Sequence, residues 1–133
     1  MKILDGSFCI DYLNGDPATK PFYEANGSDS EQWVIPIPAY AKVVVGAGNI
    51  PEGVVDDVRS TLGWAETHAI DEHTAALAGE IAAEVGPEEP FLDRPDALIA
   101  AVGRELDVPV VSADSDLTHP ETKRVVTIEE YRK

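Results

Sequence analysis

Short apolar runs alternate with longer stretches of helical spacing along the 133 residues, and this rhythm predicts the elements. Lys2-Ile3-Leu4 reads as a short strand buried on both faces. Phe8, Ile10, Tyr12 and Leu13 follow on one broad helical face, which Ser7 is placed to cap and Asn14-Gly15 ends. A short second helix is expected between Asp16-Pro17 and Gly27, with Phe22 and Tyr23 turned inward, then a polar loop over 27–32. Trp33-Val34-Ile35-Pro36 reads as the second strand, followed by a helix over 38–45 that Gly46-Ala47-Gly48-Asn49 closes. Val54, Val55, Val58 and Leu62 predict a helix starting at Pro51, and 64–70 a short strand. Ala75, Leu77, Ala78, Ile81 and Ala82 form the apolar stripe of a helix over 71–85, which Gly86-Pro87 breaks. A sixth helix is predicted over 96–106, a buried strand over 108–112, and a last strand at Arg124-Val125-Val126 before a C-terminal helical turn. Strands alternating with helices predict an α/β protein: a three-layer α/β/α sandwich on a mainly parallel central sheet, with 1–133 as a single domain.

Three aspartates stand out on this frame. Asp5 follows the strand Ile3-Leu4, Asp114 follows Val110-Val111-Ser112-Ala113, and Asp96 opens Ala97-Leu98-Ile99-Ala100-Ala101. In an open parallel sheet, strand ends and neighbouring helix starts share one edge, where ligands bind. Carboxylates gathered there repel one another, and a divalent cation relieves the repulsion. Oxygen-only ligation suits Mg²⁺ or Mn²⁺. The plainer roles are an N-cap for Asp5 and a helix-dipole charge for Asp96. Asp116, one residue beyond Ser115, is a candidate fourth ligand or a supporting hydrogen-bond partner. Ser7 is a candidate for orienting water, while Asp11 and Asp93 read as exposed charges beside the site. His68, His73 and His119 are scattered and form no His-x-x-x-His pair, so they read as surface residues.

The opening Leu4-Asp5-Gly6-Ser7-Phe8-Cys9-Ile10-Asp11, the block Asp96-Ala97-Leu98-Ile99-Ala100-Ala101 and the run Val110-Val111-Ser112-Ala113-Asp114-Ser115-Asp116-Leu117 resemble, in order, a PIN domain of the VapC toxin type. That resemblance implies a metal-dependent endoribonuclease, the toxin of a type II toxin-antitoxin system. It implies Asp5, Asp96 and Asp114 as catalytic residues, these and Asp116 as ligands of Mg²⁺ or Mn²⁺, an RNA substrate, a small cognate antitoxin, and a homodimer. The chemistry implied is metal-assisted hydrolysis of a phosphodiester. One position departs from the family pattern. Where the family has Glu-x-x-x-Gly, this chain has Ala41-Lys42-Val43-Val44-Val45-Gly46, so that Lys42 replaces an acid. A lysine there competes with a cation, and the resemblance then allows either a weakened nuclease or an inactive PIN-like domain that binds antitoxin or RNA. A phosphoacceptor signalling domain also places acids at strand ends. It needs an adjacent acidic pair and a late lysine before a proline, and neither is present at Asp5 or Asp107-Val108-Pro109.

Charge alters this picture. Twenty-five acidic residues face 10 basic ones, a formal net charge of -15, and the acids are spread through every segment. That distribution points to a halophilic surface of haloarchaeal type rather than an acidic tail. Such a chain repels RNA in dilute buffer but not in concentrated salt, where the Debye length falls to about 3 Å at 1 M. Cys9, the only cysteine, forms no intrachain disulfide and reads as a small buried residue. With no signal-peptide pattern and no apolar run near the ~20 residues that span a membrane, a cytoplasmic location without membrane contact is expected.

Overall fold

The computed structural model describes residues 1–27 and 31–132. Five strands, β1 (Lys2–Leu4), β2 (Trp33–Pro36), β3 (Glu66–His68), β4 (Val110–Ser112) and β5 (Ile128–Glu130), alternate with helices α1 (Gly6–Leu13), α2 (Thr19–Ala25), α3 (Ile37–Gly48), α4 (Val55–Thr61), α5 (Glu72–Val85), α6 (Arg94–Leu106) and α7 (Pro120–Lys123). The strands form one parallel sheet in the order β3-β2-β1-β4-β5. This is the three-layer α/β architecture that the alternating pattern predicts.

β1 lies at the centre, paired through Ile3 with Val34 of β2 on one side and with Val110 of β4 on the other. Its Ile3 and Leu4 have no exposed surface, and neither do Val110 and Val111, because helices cover both faces of the sheet. Strands of three or four residues suffice at the centre of the sheet, where β2 and β4 are buried throughout and β1 at Ile3 and Leu4, while the edge strands β3 and β5 are half-buried or exposed. From β1 the chain runs outward to β2 and β3, then returns across the sheet through α5 and α6 to β4. The direction of winding therefore reverses between β1 and β4, and the crevice beyond their carboxyl ends is where an open sheet binds ligands.

The N-terminal aromatics fill one end of the core. Phe8 packs edge-on against Tyr131 at 4.9 Å between ring centres, and Tyr23 against Trp64 at 5.0 Å. Tyr131 also donates a 2.5 Å hydrogen bond to Asp11, which pairs with Arg132, so the C-terminal segment is fastened onto α1. Buried with the rings, Cys9 has its thiol pushed up to about 12, first by burial and then by the charge of Asp5, and is an inert core residue.

Apart from α3, which runs on to Gly48 instead of ending at Val45, and α4, which begins at Val55 instead of Pro51, three features differ from the sequence expectation. The last strand is Ile128–Glu130, not Arg124-Val125-Val126, and the helical turn α7 precedes it. Val125 and Val126 instead form a turn whose amides bond the Thr122 carbonyl at 3.0 Å, with Val126 buried as a plug. A strand with two glutamates is tolerated at the sheet edge because Lys2 reaches Glu129 at 2.6 Å. Second, Asp5 rather than Ser7 caps α1, its carboxylate accepting the Gly6 N–H. Third, α6 begins at Arg94, capped by Asp93, so Asp96 lies inside the first turn instead of opening the helix. The polar loop expected over 27–32 falls partly outside the described residues. No helix among the described residues is long and apolar enough to cross a membrane.

Candidate functional site

Asp5 leaves the end of β1 with its backbone N–H still on the ladder, bonded to the Val111 carbonyl at 3.1 Å. The side chain is then held from three sides. Oδ1 accepts the Gly6 N–H at 2.7 Å, and Oδ2 accepts the hydroxyls of Ser7 at 2.9 Å and Ser112 at 2.7 Å. Only 5% exposed, this carboxylate meets its burial cost with these donors.

Ser112, the fully buried last residue of β4, does two jobs with one hydroxyl. It donates to Asp5 and accepts the Asp114 N–H at 2.9 Å. Ser7 repeats the arrangement, donating to Asp5 and accepting the Ala113 N–H at 3.1 Å. Two strand ends are thereby tied together, and the loop carrying Asp114 is set relative to Asp5. Within that loop Asp114 Oδ2 accepts the N–H groups of Asp116 and Leu117, each at 3.0 Å. This tight turn brings Asp116 back toward Asp114.

Asp96 comes from the opposite wall, one turn into α6. Asp93 accepts its N–H at 2.9 Å, and Pro95 sits in the first turn, where no intrahelical donor is required. Asp5, Asp93, Asp96 and Asp114 all line one cleft of about 220 Å³. The tightest group is Asp96, Asp114 and Asp116, with one carboxylate oxygen of each within 4.8 Å of the others. Asp5 lines the same cleft but is not one of that trio.

The site carries surplus negative charge. Burial pushes the Asp96 carboxyl up from its ordinary 3.8 to about 8, and Asp114, Asp93, Asp5 and Asp116 add to the shift in that order. The donor set fits a hard divalent cation. Mg²⁺ bonded at about 2.1 Å holds neighbouring oxygens roughly 3 Å apart, and small rotations of half-buried aspartates bring a trio at this spacing to that distance.

Lys42 of α3 lines the same cleft. It is exposed, its Cδ lies 3.4 Å from where a Cβ on Gly6 would stand, and it forms none of the ion pairs found among the described residues. Sequence reasoning treated Asp93 as a bystander and did not weigh Ser112. Asp93-Arg94-Pro95-Asp96 carried the signal for the first, an acidic cap followed by proline at a helix start. For Ser112 no sequence signal exists, since a serine at a strand end is unremarkable until its partners are known. The histidines lie away from the cleft. His68 and His73 face Glu105 at 3.7 and 3.9 Å, and His119 caps α7.

A sequence search of curated proteins returned no match. Among solved structures the chain is similar to a toxin-antitoxin complex from Klebsiella pneumoniae (19% identity over 100% of this chain and 99% of that one, TM-score 0.78). It is also similar to DNA-bound VapBC from Salmonella typhimurium (21% identity, 98% of each chain, TM-score 0.78) and to FitAcB from Neisseria gonorrhoeae (16% identity, 98% of each chain, TM-score 0.77). At these identities the likeness is one of fold. The PIN domain family model matches residues 2–123, a span that begins with β1 and takes in every acid of the cleft, and the chain belongs to the PIN domain family.

Proposed function

We propose that this PIN domain is a metal-dependent endoribonuclease and the toxin of a type II toxin-antitoxin pair, with Asp5, Asp96, Asp114 and Asp116 as the metal-binding and catalytic set. The observation that carries the reading is the convergence of acids from three separate segments at the reversal of strand order. A Mg²⁺ or Mn²⁺ ion held by them supplies positive charge to a phosphodiester and its departing oxygen. The remaining work belongs to the chain. Ser7 and Ser112 fix the Asp5 carboxylate, the 114–117 turn fixes Asp114, and one of the clustered carboxylates accepts the proton of the attacking water. Asp96 keeps a proton until the cation arrives, which limits repulsion in the empty cleft. Likeness to the toxin-antitoxin complexes supports a small antitoxin as partner, while a second copy of the chain and action as one cytoplasmic domain over residues 1–133 rest on the family resemblance of the sequence.

Lys42 stands where the family pattern has an acid, so the site has one donor fewer, and activity is low where metal is limiting. The same observation favours a second reading, an inactive domain that retains antitoxin or RNA binding. The test is cleavage of a structured RNA with Mg²⁺ or Mn²⁺, with and without chelator, by the native chain and by Asp5→Asn and Asp114→Asn. Chelator-sensitive cleavage lost in both variants supports the nuclease. Binding without cleavage supports the second reading. A short reading frame directly upstream, encoding a small antitoxin-like protein, would support the toxin assignment.

Two further results are expected. At pH 7 a metal-free Asp96 with a pKa of about 8 is mostly protonated, so Mg²⁺ binding releases a proton. The release fades above pH 8, and calorimetry in buffers of different ionisation enthalpy measures it; identical heats in all buffers at pH 7 would contradict the coupling. The acidic surface belongs to a halophilic protein, and its melting temperature therefore rises from dilute buffer to molar KCl as salt screens the repulsion among 25 acids. A flat or falling melting temperature removes the halophilic reading.

A further inference from the structure

Of the nine described lysines and arginines, five are held in ion pairs, and Lys20, Lys42, Arg59 and Arg94 are not. Lys2, Arg104, Lys123, Arg124 and Arg132 each sit in an ion pair with a named carboxylate. Lys42 does not, although it is the one base lining a cleft that also contains Asp5, Asp93, Asp96 and Asp114. An ammonium within a few ångströms of a partly buried carboxylate is attracted to it. A lysine serving only to neutralise the site would close that distance.

The stem shows how the head is kept apart. Its Cδ lies over Gly6, 3.4 Å from where a Cβ would be, at the first residue of α1. The Asp5 oxygen nearest that turn is already bonded to the Gly6 N–H, and the other to Ser7 and Ser112. Lys42 thus lines both the acidic cleft and an apolar groove of about 460 Å³ that Ile10, Leu13, Val43 and Val58 also line, and it stands at the boundary between the two.

We infer that Lys42 is a substrate-binding residue, whose ammonium grips a backbone phosphate of single-stranded RNA as the strand passes over the rim into the acidic cleft. The inference rests on the ribonuclease reading. It gives the lysine a role that loss of a metal donor does not explain: an all-carboxylate cleft repels a polyanion, and one unpaired cation at its edge supplies an attractive contact before any metal binds. A lysine suits this as a point charge for phosphate.

The test uses the full chain and a fluorescein-labelled single-stranded RNA, with binding followed by anisotropy in EDTA across a KCl series. Lys42→Gln is expected to weaken binding about tenfold, the worth of one charge-assisted contact. It should also flatten the slope of log affinity against log salt by about 0.7, the value for one phosphate on a single strand. Lys42→Arg should keep both the affinity and the slope. Circular dichroism and the Mg²⁺ affinity of the same samples report whether fold or metal site has changed instead. Equal affinity and equal slope for the native chain and Lys42→Gln overturn the inference while leaving the ribonuclease reading intact. No RNA binding by the native chain in EDTA at any salt also overturns the inference, whereas the ribonuclease reading falls only if the native chain neither cleaves nor binds RNA with Mg²⁺ or Mn²⁺ present.

Discussion

Lys42→Glu is expected to tighten Mg²⁺ or Mn²⁺ binding by on the order of tenfold or more, since restoring a carboxylate adds a donor at the cleft wall. At saturating RNA and limiting metal, the turnover rate rises with it. The substrate term moves the other way: a glutamate on the rim repels the phosphate that Lys42 attracts, so the KM for RNA rises while kcat increases. Adding Asp5→Asn to that variant should abolish the gain. An amide keeps an oxygen for one of the hydrogen bonds from Gly6, Ser7 and Ser112, but it brings no charge. Equal, chelator-sensitive cleavage by the native chain and Lys42→Glu would show that the lysine is tolerated. In that case the claim of a weakened metal site fails.

Asp96→Asn should stabilise the metal-free protein and at the same time remove its response to metal. The carboxyl of Asp96 is raised by burial and by four acidic neighbours, so its ionisation works against the fold. A raised folded-state pKa contributes stability that is present in full below the ordinary 3.8 and lost as pH rises through about 8. The variant is therefore ahead by the widest margin above pH 8, and the margin closes as pH falls toward 4. Because Asp96 is only half-buried, solvent screening holds the gain to about 1 kcal/mol, a few degrees in melting temperature for a chain of this size. Mg²⁺ should raise the melting temperature of the native chain and leave that of the variant unmoved. A variant that melts lower than the native chain at pH 9 in chelator would refute the account of charge surplus.

The fold was legible because its signals are local. Ile3-Leu4, Val34-Ile35 and Val110-Val111 are unbroken apolar runs, and the stripe Ala78, Ile81 and Ala82 has helical spacing. Each of these runs sits in an element of the expected type. The C-terminus was misread because apolarity and strand formation part company there. Val126 is buried in a turn, whereas Glu129 and Glu130 occupy a strand through pairing with β4 and an ion pair to Lys2. Nothing local marks two glutamates as strand residues. For the site, the sequence indicated that Asp5, Asp96 and Asp114 would face one cleft, and they line it together. It did not indicate that Asp116, and not Asp5, would join Asp96 and Asp114 in the close trio. Nor did it indicate the role of Ser112, whose two partners are 107 and 2 residues away. Those facts depend on register between β1 and β4, a property of the assembled sheet.

That pairing also sets an order of events during synthesis. The central strand β1 leaves the ribosome well before its neighbour β4, which begins only at Val110, and Lys2 finds Glu129 across 127 positions of sequence. Contacts of such separation form late, after the closure of a long loop. A nascent chain thus exposes Asp5 without Ser112 to orient it and without Asp114 and Asp116 to complete the cleft. The acidic cleft therefore comes into being only once β4 and the 114–117 turn have been translated.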